Sequence, residues 1–456
     1  MSVEEELVLE REKNKKLQME LQFYQRFDAV SGLYNRVTFY SQTKTMLMEN
    51  CEKRFVMLRM DIERFKVINE LWGRAEGDHL LRYIGNMLRS ALCSKSNVTF
   101  GRTEADIFYI CFLYTEKAVN DMISYIEKIL EEYKVDFRIV PYFGLYIIVN
   151  HDMPINLMCD RTNLAIRTIK GNYMKRVAYY DDNLRKTMLW EQEIINQMGN
   201  ALSNEEFQIY LQPKCDIQSG RPVGAEALVR WSHPERGVLS PADFIPIFEK
   251  NRFIIKLDFY VWEQTCMLLR RWIDEGKRPH PISVNVSRIN LHNPKLCDIL
   301  IELIETYQIP PSLLELEITE SAYVDNQKRL VGVIENLQAY GFVVLMDDFG
   351  SGYSSLNMLK EAVVDILKLD LVFLTGDDKQ NRGGNILASV MNMAGWLNLS
   401  VIAEGVETKE QAEFLRSIGC QVAQGYYYAK PMPIKDYETY LLQGADNSSR
   451  LYTAKA

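Results

Sequence analysis

Apolar residues fall in short blocks along this chain, and the C-terminal half repeats one arrangement. A strand-like apolar run ends in an acidic or amide side chain, and an amphipathic stretch follows. The runs are Gln208–Leu211, Ala225–Trp231, Ile282–Val286, Leu313–Ile318, Phe342–Asp348, Ile366–Leu369, Val401–Ala403 and Ala423–Tyr428. Helical patterns separate most of them, such as Phe259–Ile273, with Val261, Met267, Leu268 and Trp272 on one side, and Ala412–Ile418. Eight strands alternating with helices over roughly 250 residues predict a (β/α)8 barrel of the TIM type. Chemistry in such a barrel sits at the C-terminal strand ends, where most of these acids fall.

The pattern changes upstream. Between residues 28 and 182, buried-strand runs (Arg54 to Asp61, Phe108 to Phe112, Phe143 to Val149) mix with helical stretches, which predicts one α/β or α+β domain around a sheet. Glu76-Gly-Asp78 opens an apolar helix through Leu80, Leu81 and Ile84, with Asp78 as its expected N-cap. Residues 1–27 are charged and helix-favouring. A heptad seam of Val3, Leu7, Leu17, Leu21 and Tyr24 also takes in Glu10 and Asn14, which suits either a short parallel coiled coil or a solvated helix. The predicted organisation is therefore an N-terminal helix (1–27), a first domain (28–182), a helical linker (183–188), the barrel (189–443) and a flexible tail (444–456).

Composition narrows the function classes. With 456 residues and 47% hydrophobic content, the chain can build two or three cores. A net charge of −8 argues against broad attraction to a DNA or RNA polymer or to an anionic membrane. Eight cysteines, none in a Cys-x-x-Cys pair, fit reduced thiols better than a disulfide framework or a zinc site. No apolar run reaches membrane-spanning length and no leader is visible, so a soluble cytoplasmic protein is expected.

Carboxylates are among the least buried side chains, so acids at the ends of apolar strands need a reason. Glu226, Asn285, Glu317 and Asp347 are hard oxygen ligands without histidine or cysteine, a set that suits Mg²⁺ or Mn²⁺. Adjacent Asp347 and Asp348 can serve a pair of ions, and sites with ions about 3.5–4 Å apart suit attack of water on a phosphodiester. Lys368 ends the next strand, where it can steady the attacking water, and Arg230 can hold a phosphate. Asp347-Asp-Phe-Gly350 also mimics a kinase motif, but no glycine-rich loop before a strand lysine and no His-Arg-Asp accompany it.

Taken together, Glu226-Ala-Leu-Val-Arg-Trp231, Asn285-Val-Ser287, Glu317-Ile-Thr-Glu320, Asp347-Asp-Phe-Gly-Ser-Gly-Tyr-Ser-Ser-Leu356, Lys368-Leu-Asp370, Ala403-Glu-Gly-Val-Glu407 and Gln424-Gly425 resemble the motif series of EAL-domain phosphodiesterases. The resemblance implies a modified barrel with one reversed strand. It also implies cleavage of cyclic di-GMP to linear pGpG by two Mg²⁺ or Mn²⁺ ions. By position, Glu226, Asn285, Glu317 and Asp347 would hold the first ion, and Asp347 and Asp348 the second. Lys368 would contact the water, and Glu404 and Gln424 would complete its network. Gln212, Arg230, Asp370 and Gln424 would contact the nucleotide, and Glu320 would brace the loop after Asp348. Family membership also implies a homodimer. One departure is Phe248, where the family carries alanine, which puts helix packing or substrate access in question. A receptor that binds cyclic di-GMP without cleaving it, and a protein scaffold, are the alternatives.

The first domain resembles a GGDEF domain with damage. Asp28-Ala-Val-Ser-Gly-Leu-Tyr-Asn-Arg36, Asp61-Ile-Glu-Arg-Phe-Lys-Val-Ile-Asn69 and Gly77-Asp78 match its opening motif, its metal aspartate and its guanine-facing residues. The signature hairpin reads Arg102-Thr-Glu104-Ala105-Asp106-Ile107. Glu104 and Ala105 replace glycines that approach a triphosphate, and Ile107 replaces an acid the cyclase needs. Lys95-Ser-Asn-Val98 stands where an Arg-x-x-Asp inhibitory site would lie. The expectation is a catalytically dead domain that keeps a structural part or a GTP-sensing one.

Overall fold

In the computed structural model the described residues are 14–15, 17–18, 21–135, 137–172, 174–325, 327–349, 363–371 and 382–444. Val3, Leu7 and Glu10 of the heptad seam, Gly350 to Leu356 of the longest motif, and tail residues 445–456 lie outside them. The chain divides between Trp190 and Glu191 into two compact units, and the helix Asp182–Ser203 contains that boundary.

The first unit is a five-stranded sheet of β1 (Phe55–Ile62), β2 (Val98–Glu104), β3 (Ile107–Leu113), β4 (Pro141–Ile148) and β5 (Val177–Tyr179), ordered β2-β3-β1-β4-β5. Central β1 is buried along its whole length, Arg59 and Asp61 included, and is antiparallel to both neighbours. Val56, Leu58 and Met60 pack on one face with the helices Arg74–Leu92 and Glu116–Glu132. Phe55 and Met57 pack on the other with Arg36–Glu49 and Ile155–Arg167. Asp78 is not an N-cap. The helix begins at Arg74 after Gly73, whose φ of 87° turns the chain out of the preceding helix Phe65–Trp72. Asp78 therefore lies beyond the free N–H groups of the first turn.

The second unit carries β6 (Phe207–Asp216), β7 (Pro222–His233), β8 (Gly237–Leu239), β9 (Ile282–Asn285), β10 (Leu314–Thr319), β11 (Val343–Phe349), β12 (Ile366–Asp370), β13 (Ser400–Glu404), β14 (Val422–Ala423) and β15 (Met432–Pro433). Eight of them close a barrel in the order β6-β14-β13-β12-β11-β10-β9-β7, sealed by β6 against β7. β6 is antiparallel to both neighbours while the other contacts around the ring are parallel, so β6 is the one reversed strand. The expected run Ala423–Tyr428 is shorter as a strand. After Gln424 the backbone turns and passes so close to Val406 that a Cβ at Gly425 would lie 2.1 Å from the Val406 carbonyl oxygen, so only glycine fits there. Phe248 packs against Phe207, Trp231, Phe244 and Phe253 with no exposed surface, so it belongs to helix packing and not to substrate access.

Candidate active site

Alternation along each parallel strand delivers one inward side chain to the barrel mouth, and the reversed β6 brings a different part of its length there. Gln212 on β6 is in register with Glu226 on β7. Asn285 ends β9, Glu317 is in β10, Lys368 is in β12, and Glu404 ends β13 in register with Asp370. Asp347 and Asp348 owe their shared position to a bulge. Between Met346 and Phe349 the register of β11 against β12 shifts, and Asp348 takes φ 58° while its N–H donates to Asp347 Oδ1 at 2.9 Å. A bulge is one way to aim consecutive side chains at the same place.

These residues converge on one ammonium. Lys368 Nζ lies 2.5 Å from Glu317 Oε2, 2.6 Å from Glu404 Oε1, 3.1 Å from Asp347 Oδ1 and 3.5 Å from Glu226 Oε2. Asn285 Nδ2 donates to Glu226 Oε1 at 3.2 Å, and Gln424 Nε2 to Glu226 Oε2 at 2.6 Å and Gln212 Oε1 at 3.1 Å. Gln212 in turn donates to the Ala429 carbonyl at 3.2 Å. Arg230 is half-buried over the Tyr210 ring. Glu320 is buried at the start of the helix Glu320–Asp325, and the loop it is expected to brace lies outside the described residues.

Two groups escaped the sequence reading. Lys214, two residues beyond Gln212 on β6, donates to Glu315 Oε2 at 2.9 Å and to Glu317 Oε1 at 3.3 Å. Glu317 is thereby gripped on both oxygens, by Lys214 and by Lys368. Asp258, on the helix Ile254–Asp274, accepts from Ser287 N–H at 3.0 Å and Asn290 Nδ2 at 2.8 Å, while Trp262 Nε1 donates to the Asn285 carbonyl at 3.0 Å. Together they hold the Asn285 loop. The period-two spacing Gln212/Lys214 and Glu315/Glu317 was the available signal for the first pair. A lone helical aspartate offered none.

The electrostatics leave a deficit of positive charge. Among the described residues, Glu226, Glu315, Glu317, Asp347, Asp348, Asp370 and Glu404 gather around Lys214 and Lys368, with Arg230 near Glu226. Burial drives the Glu226 and Glu404 carboxyls up, and their acidic neighbours add to this against the pull of Lys368. Burial would also raise Glu317, but Lys368 and Lys214 outweigh it and leave Glu317 below the ordinary range. Burial would lower both lysines, yet the surrounding carboxylates keep them charged. The acids outnumber the cations around them, an imbalance that bound divalent cations would reduce. Among the described residues no three acidic, histidine or cysteine side chains already ring a single point as ligands do, since Lys368 lies among the carboxylates. Gln424 Oε1 is buried without a hydrogen-bond partner beside them. An all-oxygen set, an uncompensated charge and an orphaned buried acceptor fit hard divalent cations.

The first unit places its expected residues differently. Asn69 and the Gly77–Asp78 step are neighbours, since a side chain at Gly77 would meet Asn69 Oδ1 at 2.0 Å. Ala105 holds φ 43°, a left-handed position that favours glycine, and its carbonyl accepts from Arg102 Nε at 2.7 Å. Glu104 is exposed at the hairpin tip, Ile107 starts β3, and Asp106 Oδ2 accepts from the Ile62 N–H at 2.8 Å. Arg102 also pairs with Asp28 at 2.7 Å, and Asp61 is buried against Arg59.

Residues 195–431 match the EAL domain family, and residues 25–145 match the family described as diguanylate cyclase, GGDEF domain. Over 413 residues the chain is 27% identical to the bifunctional diguanylate cyclase/cyclic di-GMP phosphodiesterase MucR of Pseudomonas aeruginosa, covering 89% of this chain and 60% of that one. It is 30% identical over 424 residues to the cyclic di-GMP phosphodiesterase NbdA of the same organism, covering 91% of this chain and 54% of that one. The solved complex of the PaMucR phosphodiesterase with c-di-GMP is 33% identical, with a TM-score of 0.52 over 54% of this chain and 99% of that one. The chain thus spans roughly half to three-fifths of the length of these curated relatives.

Proposed function

The chain belongs to the EAL domain family, and from that premise we propose that its barrel hydrolyses cyclic di-GMP to linear pGpG with Mg²⁺ or Mn²⁺. The observation that carries the reading is the convergence of Glu226, Glu317, Asp347 and Glu404 within 3.5 Å of Lys368 Nζ at the mouth of the barrel. Glu226, Asn285, Glu317 and Asp347 would hold one cation, and Asp347 with Asp348 a second. Such a pair, when bound, supplies an acidified water and a clamp for phosphate oxygens.

The chain's own groups do the rest. Arg230 and Gln212 receive the nucleotide, the guanidinium offering a planar fork to phosphate oxygens. Asp370 and Gln424 face the same ligand, Gln424 through its unpaired Oε1. Lys368, released from its carboxylates, donates to the attacking oxygen and stabilises charge developing on the phosphoryl group. Glu404, whose carboxyl burial drives well above the usual range, lies 2.6 Å from Lys368 Nζ and completes the network around the attacking water.

In the same reading the first unit, with Glu104 and Ala105 in place of glycines and Ile107 in place of an acid, is no cyclase. The protein acts in the cytoplasm as a homodimer, a view supported by exposed Leu17, Leu21 and Tyr24 near its start. Incubating the full chain with cyclic di-GMP under Mg²⁺, Mn²⁺ or chelator, then separating the nucleotides, tests the barrel. Metal-dependent pGpG that disappears in Asp347→Ala supports hydrolysis. Intact nucleotide that nonetheless binds would replace it with the receptor reading.

A further inference from the structure

The fold family of the first unit implies a divalent cation at Asp61, and the residues around Asp61 do not fit one. Asp61 is the seventh residue of β1, and Arg59, two positions earlier, shares its face of the sheet. Arg59 Nε donates to Asp61 Oδ1 at 2.6 Å and Nη2 donates to Oδ2 at 2.9 Å, a bidentate fork. Lys170 Nζ adds a second cation 3.2 Å from Oδ2. The remaining Arg59 nitrogen, Nη1, donates to Tyr109 Oη at 3.3 Å, and the guanidinium lies over that ring. Both side chains of the fork are buried, at 10% and 3% exposure. Burial would lower the Arg59 pKa, but Asp61 and Tyr109 outweigh it and keep the guanidinium charged. The neighbouring acid is engaged too, with Asp106 held by the Ile62 N–H.

We propose that Arg59 stands in place of the divalent cation in the first unit, so that Asp61 is half of an internal ion pair and the unit takes no metal-bound triphosphate. A cation arriving at Asp61 would have to displace a guanidinium that has no other carboxylate among the hydrogen bonds and ion pairs described for it. The unit is then a folded platform rather than a GTP sensor. This holds whether or not the barrel is a phosphodiesterase.

The two readings of Asp61 predict opposite signs in metal-free buffer. In an empty metal site, neutralising an acid relieves repulsion and protects the fold. In an internal pair, the same change strands a buried guanidinium and loosens it. Hydrogen–deuterium exchange of β1 in the full chain with EDTA reads this locally. We expect Asp61→Asn to speed β1 exchange by about tenfold or more, the equivalent of ~1.4 kcal/mol. The double variant Arg59→Met/Asp61→Leu should recover most of that loss. The non-hydrolysable analogue GMPPNP should bind the unmodified chain no more tightly with Mn²⁺ than with EDTA. Unchanged or slower exchange in Asp61→Asn overturns the proposal, as does Mn²⁺-dependent GMPPNP binding that Asp61→Asn abolishes.

Discussion

Lys214 offers a test of how the barrel mouth is held together. Its ammonium is 3% exposed and its partners Glu315 and Glu317 are 9% and 0% exposed, so neither water nor salt screens the cluster appreciably. Lys214→Met removes the closest donor to Glu315 and one of two ammoniums on Glu317. Stranding one partner of a buried pair costs about 3–5 kcal/mol, whereas replacing both partners by apolar groups of similar volume is often neutral. The double variant Lys214→Met/Glu315→Met restores the charge balance, and what then persists is the loss of one charged hydrogen bond to Glu317. That residue is worth about 1.5–3 kcal/mol. The second substitution should therefore recover roughly 2 kcal/mol, a negative coupling that pairs in contact can show. Urea unfolding of the full chain, followed by fluorescence of Trp231, Trp262 and Trp272 in the second unit, measures it. The double variant also keeps the net charge near the mouth, so weaker divalent-ion affinity there reports the placement of Glu317 and not the local field. Additive losses, or a Lys214→Met chain within about 1 kcal/mol of the unmodified one, would refute the buried-pair argument.

Three further outcomes follow from the same geometry. Because Glu226 and Glu404 are driven up by burial, cation binding at the mouth should release protons and tighten as pH rises, seen by calorimetry in buffers of different ionisation enthalpy. Burial pushes the Asp258 carboxyl from 3.8 up to about 6, so the folded state binds that proton more tightly than the unfolded one. Its contribution to stability should fall as pH rises from about 5 to about 7, by about 1 kcal/mol, a slope absent from Asp258→Asn in urea titrations. Phe248→Ala should lower stability by about 3–5 kcal/mol through the cavity it opens among Phe207, Trp231, Phe244 and Phe253. If the proposed hydrolysis holds, the surviving folded fraction should keep its KM for cyclic di-GMP, which a residue at the substrate path would not.

The barrel was legible because its strands carry their own chemistry: an apolar run ending in Glu226, Asn285, Glu317 or Asp347 states both an element and a direction. What could not be read was whatever depends on the partner of a buried group. Lys214 looks like any strand lysine until β6 is reversed, and only closure against β7 and β14 turns it inward toward Glu315 and Glu317. That one strand is reversed was implied by family resemblance alone, and which one was not, since period-two alternation is the same in either direction. Asp78 failed as a cap for a local reason, because Gly73 at φ 87° started the helix a turn early. Asp61 shows the deepest limit. Its motif, Asp61-Ile-Glu-Arg-Phe-Lys, reads as that of a metal-binding aspartate, and two residues upstream Arg59 sits in an otherwise apolar central strand. An arginine buried in such a strand must bring its counter-ion with it. The alternation Arg59/Asp61 placed both on one face of β1, so the rule that a buried charge is paired already favoured an internal pair over an ion from solution.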